Sequence, residues 1–136
     1  MKISIYTDGG ARGNPGISGF GLVVLDPQGN SLHQQSQFLG IKTNNEAEYL
    51  GLIAALTWLK DNQSDVTTVD FYSDSQLMVR QLNGQYKVKS PNLKPLFLTA
   101  KKLISQIKPP ISFLDIRRHK NKIADALANQ AMDKCL

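Results

Sequence analysis

Three acidic side chains stand where the predicted structure passes from one element to the next. Asp8 follows the alternating stretch Ile3 to Thr7, which predicts a strand, and it precedes a glycine-rich turn. Asp74 follows a second predicted strand, Val66 to Tyr72, and Glu48 lies in the first turns of a predicted helix. Glycine adds no side-chain bulk and lets another chain come close. An acid beside such a turn suits a metal ion that carries a polyanion.

Each of these acids also has an ordinary structural explanation. Asp8 could cap a hairpin turn, Glu48 could favour the helix dipole, and Asp74 could serve as a helix N-cap. Glu48, however, shares a helix face with Leu52 and Ala55. An acid on the core-facing side of a helix is costly unless it is paired or bound to a metal.

A fourth acid, Asp125, lies near the start of the last predicted helix. Its neighbours on the helix surface are Lys122 and Asn129, so its own periodicity indicates a solvated residue. If the first and fourth strands are neighbours, all four acids can converge, because sites in open α/β sheets gather at the carboxyl ends of strands. Four close carboxylates repel one another unless cations neutralise them, and Mg²⁺ prefers oxygen ligands. Two such ions can support phosphodiester hydrolysis.

The hydrophobic pattern predicts the element order β-β-β-α-β-α-α-β-α, and short joins make the first three strands an antiparallel meander. The predicted strands cover residues 3–7, 18–26, 31–39, 66–72 and 111–116, and the predicted helices cover residues 46–60, 76–82, 93–107 and 121–131. In the third helix, Leu96, Leu103 and Ile107 are predicted to face inward. In the last helix, the predicted inward residues are Ile123, Ala124, Leu127, Ala128 and Ala131.

Composition bounds the class of protein. The chain has 136 residues, of which 41% are hydrophobic and 20% charged, and this predicts one globular domain over residues 1–136. No apolar run is long enough to span a bilayer, no signal-peptide pattern is visible, and Cys135 is the only cysteine. We therefore expect a cytoplasmic protein without an internal disulfide.

The net charge of +5 is unevenly distributed. Residues 1–68 hold four basic and six acidic side chains, whereas residues 69–136 hold twelve basic and five acidic ones. A basic half indicates a polyanionic partner such as nucleic acid, although a solvated lysine-rich surface has the same composition.

Five segments together resemble type 1 ribonuclease H. They are Tyr6 to Gly10, Gly13 to Gly16, Thr43 to Glu48, Ser73 to Gln76 and Asn121 to Ala128, in this order and at this spacing. The resemblance covers essentially the whole chain. It implies an α/β ribonuclease H-like fold, in which helices flank a five-stranded mixed sheet with a three-stranded antiparallel meander plus two parallel strands. It also implies cleavage of the RNA strand of RNA/DNA hybrids, which leaves 5′-phosphate and 3′-hydroxyl ends.

The resemblance assigns roles to individual residues. It implies that two Mg²⁺ ions, or Mn²⁺ as a substitute, are bound by Asp8, Glu48, Asp74 and Asp125. The residues implied to contact the hybrid are Gly9, Gly10, Asn14, Asn44, Asn45 and Gln76, and those implied to hold a DNA-strand phosphate are Thr43 and Asn92. Asparagine is also a common turn and cap residue, and both roles can coexist.

The sequence departs from the family pattern at two places. Many bacterial members carry a long basic insertion after the third acid, but the segment Gly84 to Leu93 is short here. Lys87, Lys89 and Lys94 are expected to replace part of the substrate binding that the insertion provides, with weaker binding overall. This compact form resembles archaeal-type members. The loop that often holds a mobile catalytic histidine is also short, and Arg118 and His119 both compete for that role.

The resulting hypothesis is a monomeric, metal-dependent endoribonuclease that acts on RNA/DNA hybrids, with double-stranded RNA as a further candidate substrate and no membrane partner. Two alternatives remain at this stage. One is a hybrid-binding module without catalysis, and the other is a different enzyme of the same fold, such as a DNA strand transferase or a sugar kinase.

Overall fold

The computed structural model describes residues 1–134, so Cys135 lies outside the described residues. Within them the strands are β1 Lys2–Arg12, β2 Gly16–Leu25, β3 Ser31–Lys42, β4 Thr68–Ser73 and β5 Ile111–Asp115. The helices are α1 Asn44–Asp61, α2 Gln76–Leu82, α3 Lys94–Ser105 and α4 Lys122–Lys134, with a 3₁₀ turn at Arg118–Lys120. The element order is the predicted one. No helix in this part of the chain has both the length and the apolar character that a membrane crossing requires.

The five strands form one mixed sheet in the order β3-β2-β1-β4-β5. β1, β2 and β3 pair antiparallel as a meander, and β4 pairs parallel with both β1 and β5. The predicted fold class is thus confirmed. This order places β1 and β4 side by side, which is the condition for the acids to converge.

Helices cover the two faces of the sheet in different ways. Phe20 of β2 packs against Gly51 of α1, whereas the neighbouring Gly21 lies against the backbone of Ala124 in α4. Because successive residues of a strand point to opposite faces, α1 and α4 lie on opposite sides of the sheet. The α1 side holds the main core, with fully buried Ile5, Leu22, Leu52, Leu56 and Phe71.

The sequence pattern predicted that the first strand ends at Asp8, and this prediction is wrong. β1 continues to Arg12, because β2 pairs with it along the whole stretch and holds Gly9 opposite Phe20. The turn begins only after Arg12, where Gly13 has a φ of 102° that favours glycine. The parallel pairing with β4, in contrast, stops at Thr7. Asp8 is therefore the first β1 residue beyond the end of β4, although it lies inside β1.

The start of α1 is fixed by a capping box. The Thr43 hydroxyl accepts a hydrogen bond from the Glu46 backbone N–H, and the Glu46 carboxylate accepts one from the Thr43 N–H. Such a cap stabilises a helix by about 1 kcal/mol. α1 consequently begins at Asn44, two residues before the predicted start, and Asn44 and Asn45 belong to its first turn.

The predicted inward position of Ile123 is wrong. Its side chain is 51% exposed, and Leu127 is only half-buried. α4 instead approaches the sheet through Ala124, Ala128 and Ala131, which are buried. A Cβ added at Gly21 would lie 2.3 Å from the Ala124 carbonyl oxygen. Because the backbones are this close, only small residues fit between them.

Candidate active site

Three carboxylates meet where β1 and β4 part. The parallel ladder ends with Thr7 opposite Ser73, so Asp8 and Asp74 directly follow the last paired residues of two adjacent strands. Glu48 of α1 completes the group, and one oxygen atom of each acid lies within 4.8 Å of the other two. The structure therefore brings together the first three acids that the sequence singled out.

Glu48 is held by an unusually close contact between α1 and β1. The Gly9 N–H donates a hydrogen bond to Glu48 Oε1 at 2.7 Å. A Cβ at Gly9 would lie 2.4 Å from the carbonyl carbon of Ala47, so only glycine lets the helix come this near. The glycine after the first acid thus positions the second acid.

Burial and mutual repulsion perturb the titration of these acids. Burial, the charge of Asp74 and a hydrogen bond with Asp125 raise the pKa of Asp8 to about 8. Burial, reinforced by the charges of Asp8 and Asp74, raises the pKa of Glu48 well above its ordinary value. Unless a cation neutralises the site, Asp8 holds a proton near neutral pH.

Asp74 has an oxygen that no described protein group satisfies. Its Oδ2 atom is buried and lacks a hydrogen-bond partner within residues 1–134, and Arg118 Nε lies 4.0 Å from it, too far for a hydrogen bond. An unsatisfied buried acceptor is costly, and a hard divalent cation takes carboxylate oxygens as ligands. The clustered carboxylates and the unpaired oxygen therefore fit a divalent metal ion.

Asp125 lines the same cleft, which has a volume of about 720 Å³. It is half-buried, so its periodicity alone, which indicates a solvated residue, is misleading. Asp125 is held in place by Asn121, which the sequence analysis treated only as the first residue of the last helix. Asn121 is buried, its Nδ2 donates to the Thr7 carbonyl at 2.8 Å, and its own carbonyl accepts the Asp125 N–H at 3.0 Å. Asn121 thereby joins β1, one residue before Asp8, to the first turn of α4.

Only one sequence feature could have indicated the role of Asn121: it stands immediately before a helix and four residues before an acid. Arg12 belongs to none of the five family segments, and the sequence did not single it out. It lies on the rim of the cleft, where its guanidinium binds Asp133 at 2.6 Å and Asn129 Oδ1 at 3.3 Å. The ion pair with Asp133 and the hydrogen bond to Asn129 hold the guanidinium at this rim.

Most of the predicted hybrid contacts surround the acids. Gly9, Gly10, Asn44, Asn45 and Gln76 line the cleft. Asn14 lies beside them, and its Oδ1 accepts the Asn44 N–H at 3.0 Å, while Asn44 Oδ1 accepts the Ala11 N–H at 2.8 Å. The predicted turn and cap roles are thus present. The side-chain nitrogens of Asn14 and Asn44 bind no group in the described part of the chain, which leaves them available to a ligand.

The remaining predicted contacts lie outside the cleft. Thr43 is used as the cap of α1, and Asn92, Lys87 and Lys89 are exposed residues of the segment between α2 and α3. The structure does not bring these four residues to the acids.

Arg118 and His119 point to different places. Arg118 lines the acidic cleft, and its positive charge counteracts the rise in the pKa of Asp8. His119 lines a separate cavity on the other side of the 3₁₀ turn. The geometry thus separates two residues between which the sequence could not choose.

Comparison with known proteins identifies relatives that match this chain over most of its length. A family profile described as reverse transcriptase-like matches residues 6–131. A bifunctional protein of Mycobacterium tuberculosis is 42% identical over 98% of this chain, but the chain spans only 36% of that protein. The crystal structure of ribonuclease H1 from the archaeon Halobacterium salinarum is 34% identical and has a TM-score of 0.90, with 98% of this chain and 99% of that chain covered.

A further solved structure, of a compost-derived ribonuclease H1 in complex with an RNA/DNA hybrid, has a TM-score of 0.92. It is 46% identical, and the match covers 97% of each chain. The similarity extends over the whole fold and includes an archaeal member, as the short segment after the third acid indicated. The chain belongs to the type 1 ribonuclease H family.

Proposed function

We propose that this protein is an endoribonuclease that hydrolyses the RNA strand of RNA/DNA hybrids and leaves 5′-phosphate and 3′-hydroxyl ends. The observation that carries the proposal is the cluster of Asp8, Glu48 and Asp74 oxygens within 4.8 Å at the end of the β1–β4 ladder. The hybrid bound by the compost-derived relative supports the substrate class. We further propose that residues 1–136 form one ribonuclease H domain that acts as a cytoplasmic monomer.

Asp8, Glu48, Asp74 and Asp125 would hold two divalent ions, Mg²⁺ or Mn²⁺, together with the substrate. When bound, such ions supply activation of water and neutralisation of charge on the phosphate. The chain itself positions the acids before the substrate arrives: Gly9 holds Glu48, and Asn121 ties Asp125 to β1. Arg118 faces the same cleft and supplies a fixed positive charge beside the reacting phosphate.

The amides at the edge of the cleft would distinguish RNA from DNA. Asn14, Asn44, Asn45 and Gln76 offer donors and acceptors to the minor groove, where the 2′-hydroxyl marks the RNA strand. Double-stranded RNA also displays 2′-hydroxyls, so it is a second candidate substrate of the same site. Lys87 and Lys89 would contact phosphates farther along the duplex, and this contact would be sensitive to salt.

One experiment tests the proposal directly. A single labelled RNA or DNA strand is presented as RNA/DNA, RNA/RNA and DNA/DNA duplexes, with Mg²⁺ and with EDTA. We expect Mg²⁺-dependent cleavage of the RNA strand of the hybrid and no cleavage of DNA/DNA. Tight hybrid binding without cleavage in any metal would instead identify a binding module, and cleavage in EDTA would contradict a metal-dependent mechanism.

A further inference from the structure

A second cavity, of about 410 Å³, lies next to the acidic cleft. The 3₁₀ turn Arg118–Lys120 separates the two, with Arg118 on the cleft side and His119 on the side of the second cavity. The proposed function does not use this cavity. Its size is within the range of about 300–1,000 Å³ that is usual for small-ligand sites.

The cavity has one apolar wall and one polar rim. The wall includes Tyr6 and Leu25 of the sheet and Ile123 of α4, whose side chain is 51% exposed. Tyr6 is also stacked on Tyr72, with ring centroids 4.7 Å apart, so its ring is held by a neighbour on the sheet. The exposure of Ile123 has no explanation in the packing of α4, which uses the alanine face of the helix.

The rim of the cavity is basic. Lys120 and Lys122 are exposed and carry positive charge beside the cavity, and His119 adds an imidazole. The cavity also receives the start of α4, where the backbone N–H groups of Lys122 and Ile123 donate to no group within residues 1–134. Free N–H groups at a helix start favour an anion. The rim therefore suits a phosphate, and the wall suits a flat apolar ring.

These two requirements are met by one chemical class of ligand, a nucleotide. A base inside a duplex is stacked between its neighbours and cannot enter a concave pocket, whereas an unpaired base can stack on an aromatic side chain. We infer that this cavity binds an unpaired nucleotide of a single-stranded extension of the hybrid, where a strand leaves the cleft over the Arg118–Lys120 turn. The inference rests on the proposed function, because the hybrid supplies the extension.

The test compares the KM for a blunt hybrid with the KM for the same hybrid carrying a four-nucleotide extension. Four extended substrates are needed, with the extension at the 5′ or the 3′ end of the RNA or of the DNA strand. Stacking and phosphate contacts predict a KM at least about fivefold lower for one or more extended substrates. RNA and DNA extensions share the recognised chemistry, and the four arms show which strand is bound.

The decisive variant is Ile123→Glu, which adds a carboxylate to the apolar wall. A glutamate in the first turn of a helix is compatible with the helix dipole, and position 123 is exposed, so the fold is expected to persist. Gln130→Glu is the matched control, because it adds the same charge at an exposed position of the same helix that does not line the cavity. Lys122→Gln is a second variant, which removes a rim charge without entering the apolar wall.

We expect Ile123→Glu to abolish the advantage of the extension and Gln130→Glu to keep it, while both cleave the blunt hybrid. If Ile123→Glu fails to fold, Lys122→Gln provides the test. Loss of at least half of the KM advantage of the extended substrate in Lys122→Gln would support the inference, and full retention of that advantage would overturn it. Equal KM values for blunt and extended substrates in the unmodified protein would also overturn the inference. Absence of blunt-hybrid cleavage in that protein would instead reject the proposed function, so the two failures are distinguishable.

Discussion

The two walls of the acidic cleft are held in place in different ways. On the α1 wall, Glu48 is bonded to the Gly9 N–H, and α1 is pressed against β1 so closely that a methyl group would not fit. On the second wall, at the end of β4, Asp74 Oδ2 is buried without a hydrogen-bond partner among residues 1–134, and Arg118 Nε lies 4.0 Å from it. Contacts within the protein determine the position of the first wall, whereas the second wall offers a carboxylate oxygen that a ligand can bind.

This difference indicates that the two walls have different roles, one in positioning an acid and the other in binding ligands. The α1 wall is rigid, because backbone hydrogen bonds and close packing determine the position of Glu48. On the second wall, the charged groups of Asp74 and Arg118 are not hydrogen-bonded to each other. A cation can therefore bind Asp74, and a phosphate can bind Arg118. A substitution that disrupts the packing of α1 against β1 should therefore mainly lower stability, whereas a substitution at Asp74 or Arg118 should mainly lower turnover.

The largest effect on turnover is expected from Asp74→Asn. The change keeps the shape of the side chain but removes a ligand charge, and we expect activity to fall to about 0.1% of the original or less with the fold intact. Asp115→Asn is the control, because Asp115 lines the same cleft without belonging to the three-acid cluster. Near-normal cleavage by well-folded Asp74→Asn would remove Asp74 from the metal site.

The largest effect on stability is expected from Gly9→Ala. The added Cβ would lie 2.4 Å from the Ala47 backbone, so α1 must move away, at a cost of about 1–3 kcal/mol or more in the free energy of unfolding. Gly10→Ala is the matched control, because its Cβ would have no neighbour nearer than 3.9 Å. Urea denaturation measures both variants. Equal free energies of unfolding for Gly9→Ala and Gly10→Ala would show that α1 can move away from β1 at little cost.

An intermediate effect separates Arg118 from His119. If Arg118 stabilises charge on the phosphate, Arg118→Ala should lower kcat by about tenfold or more without changing the shape of its pH profile, because arginine does not titrate between pH 5 and 10. His119 lines the other cavity, so His119→Ala should retain kcat. The measurement is kcat from pH 5 to 10 at fixed Mg²⁺. A reduced kcat with an altered profile in His119→Ala would assign the catalytic role to the histidine.

The smallest effect is expected from two exposed lysines that do not line the acidic cleft. Replacement of Lys87 and Lys89 by glutamine should raise KM a few-fold with little change in kcat and should flatten the salt dependence of binding, because fewer counterions are released. Lys101 and Lys102, which are exposed on α3, provide the matched double variant. If the two double variants have the same KM and salt slope, the segment after α2 does not contact the hybrid.

The sequence predicted the fold well because each element carries a local signal. The meander, the short helix at residues 76–82 and the break at Pro109 and Pro110 follow from periodicity and turn residues. The length of β1 did not follow, because Gly9 and Gly10 are typical of a turn and only pairing with β2 keeps them in a strand. The exposure of Ile123 was missed for a similar reason, since the closeness of α4 to the sheet depends on Gly21 in a distant segment.

The candidate site was predictable to the extent that its residues belong to recognisable motifs. The positions of Asp8, Glu48 and Asp74 could be inferred from strand ends and helix faces, but Asp125 needed the family resemblance. The role of Asn121 depends on a hydrogen bond to Thr7, 114 residues away in the chain, and no local pattern encodes such a contact. The choice between Arg118 and His119 depends on which way two consecutive side chains point.

The central claim is that divalent cations bind the clustered carboxylates and neutralise their mutual repulsion. Thermal unfolding tests this claim without an activity assay. Since folding raises the pKa of Asp8 from 3.8 to about 8, the folded state binds more protons than the unfolded chain in this interval. In EDTA, the Tm should therefore fall as the pH rises from 4 towards 8.

At pH 8, Mg²⁺ should restore several degrees of Tm to the unmodified protein and almost none to Asp8→Asn, because binding to the folded state alone stabilises it. A Tm in EDTA that is constant or rises across this pH interval would contradict the account. An equal Mg²⁺ response in Asp8→Asn would contradict it as well.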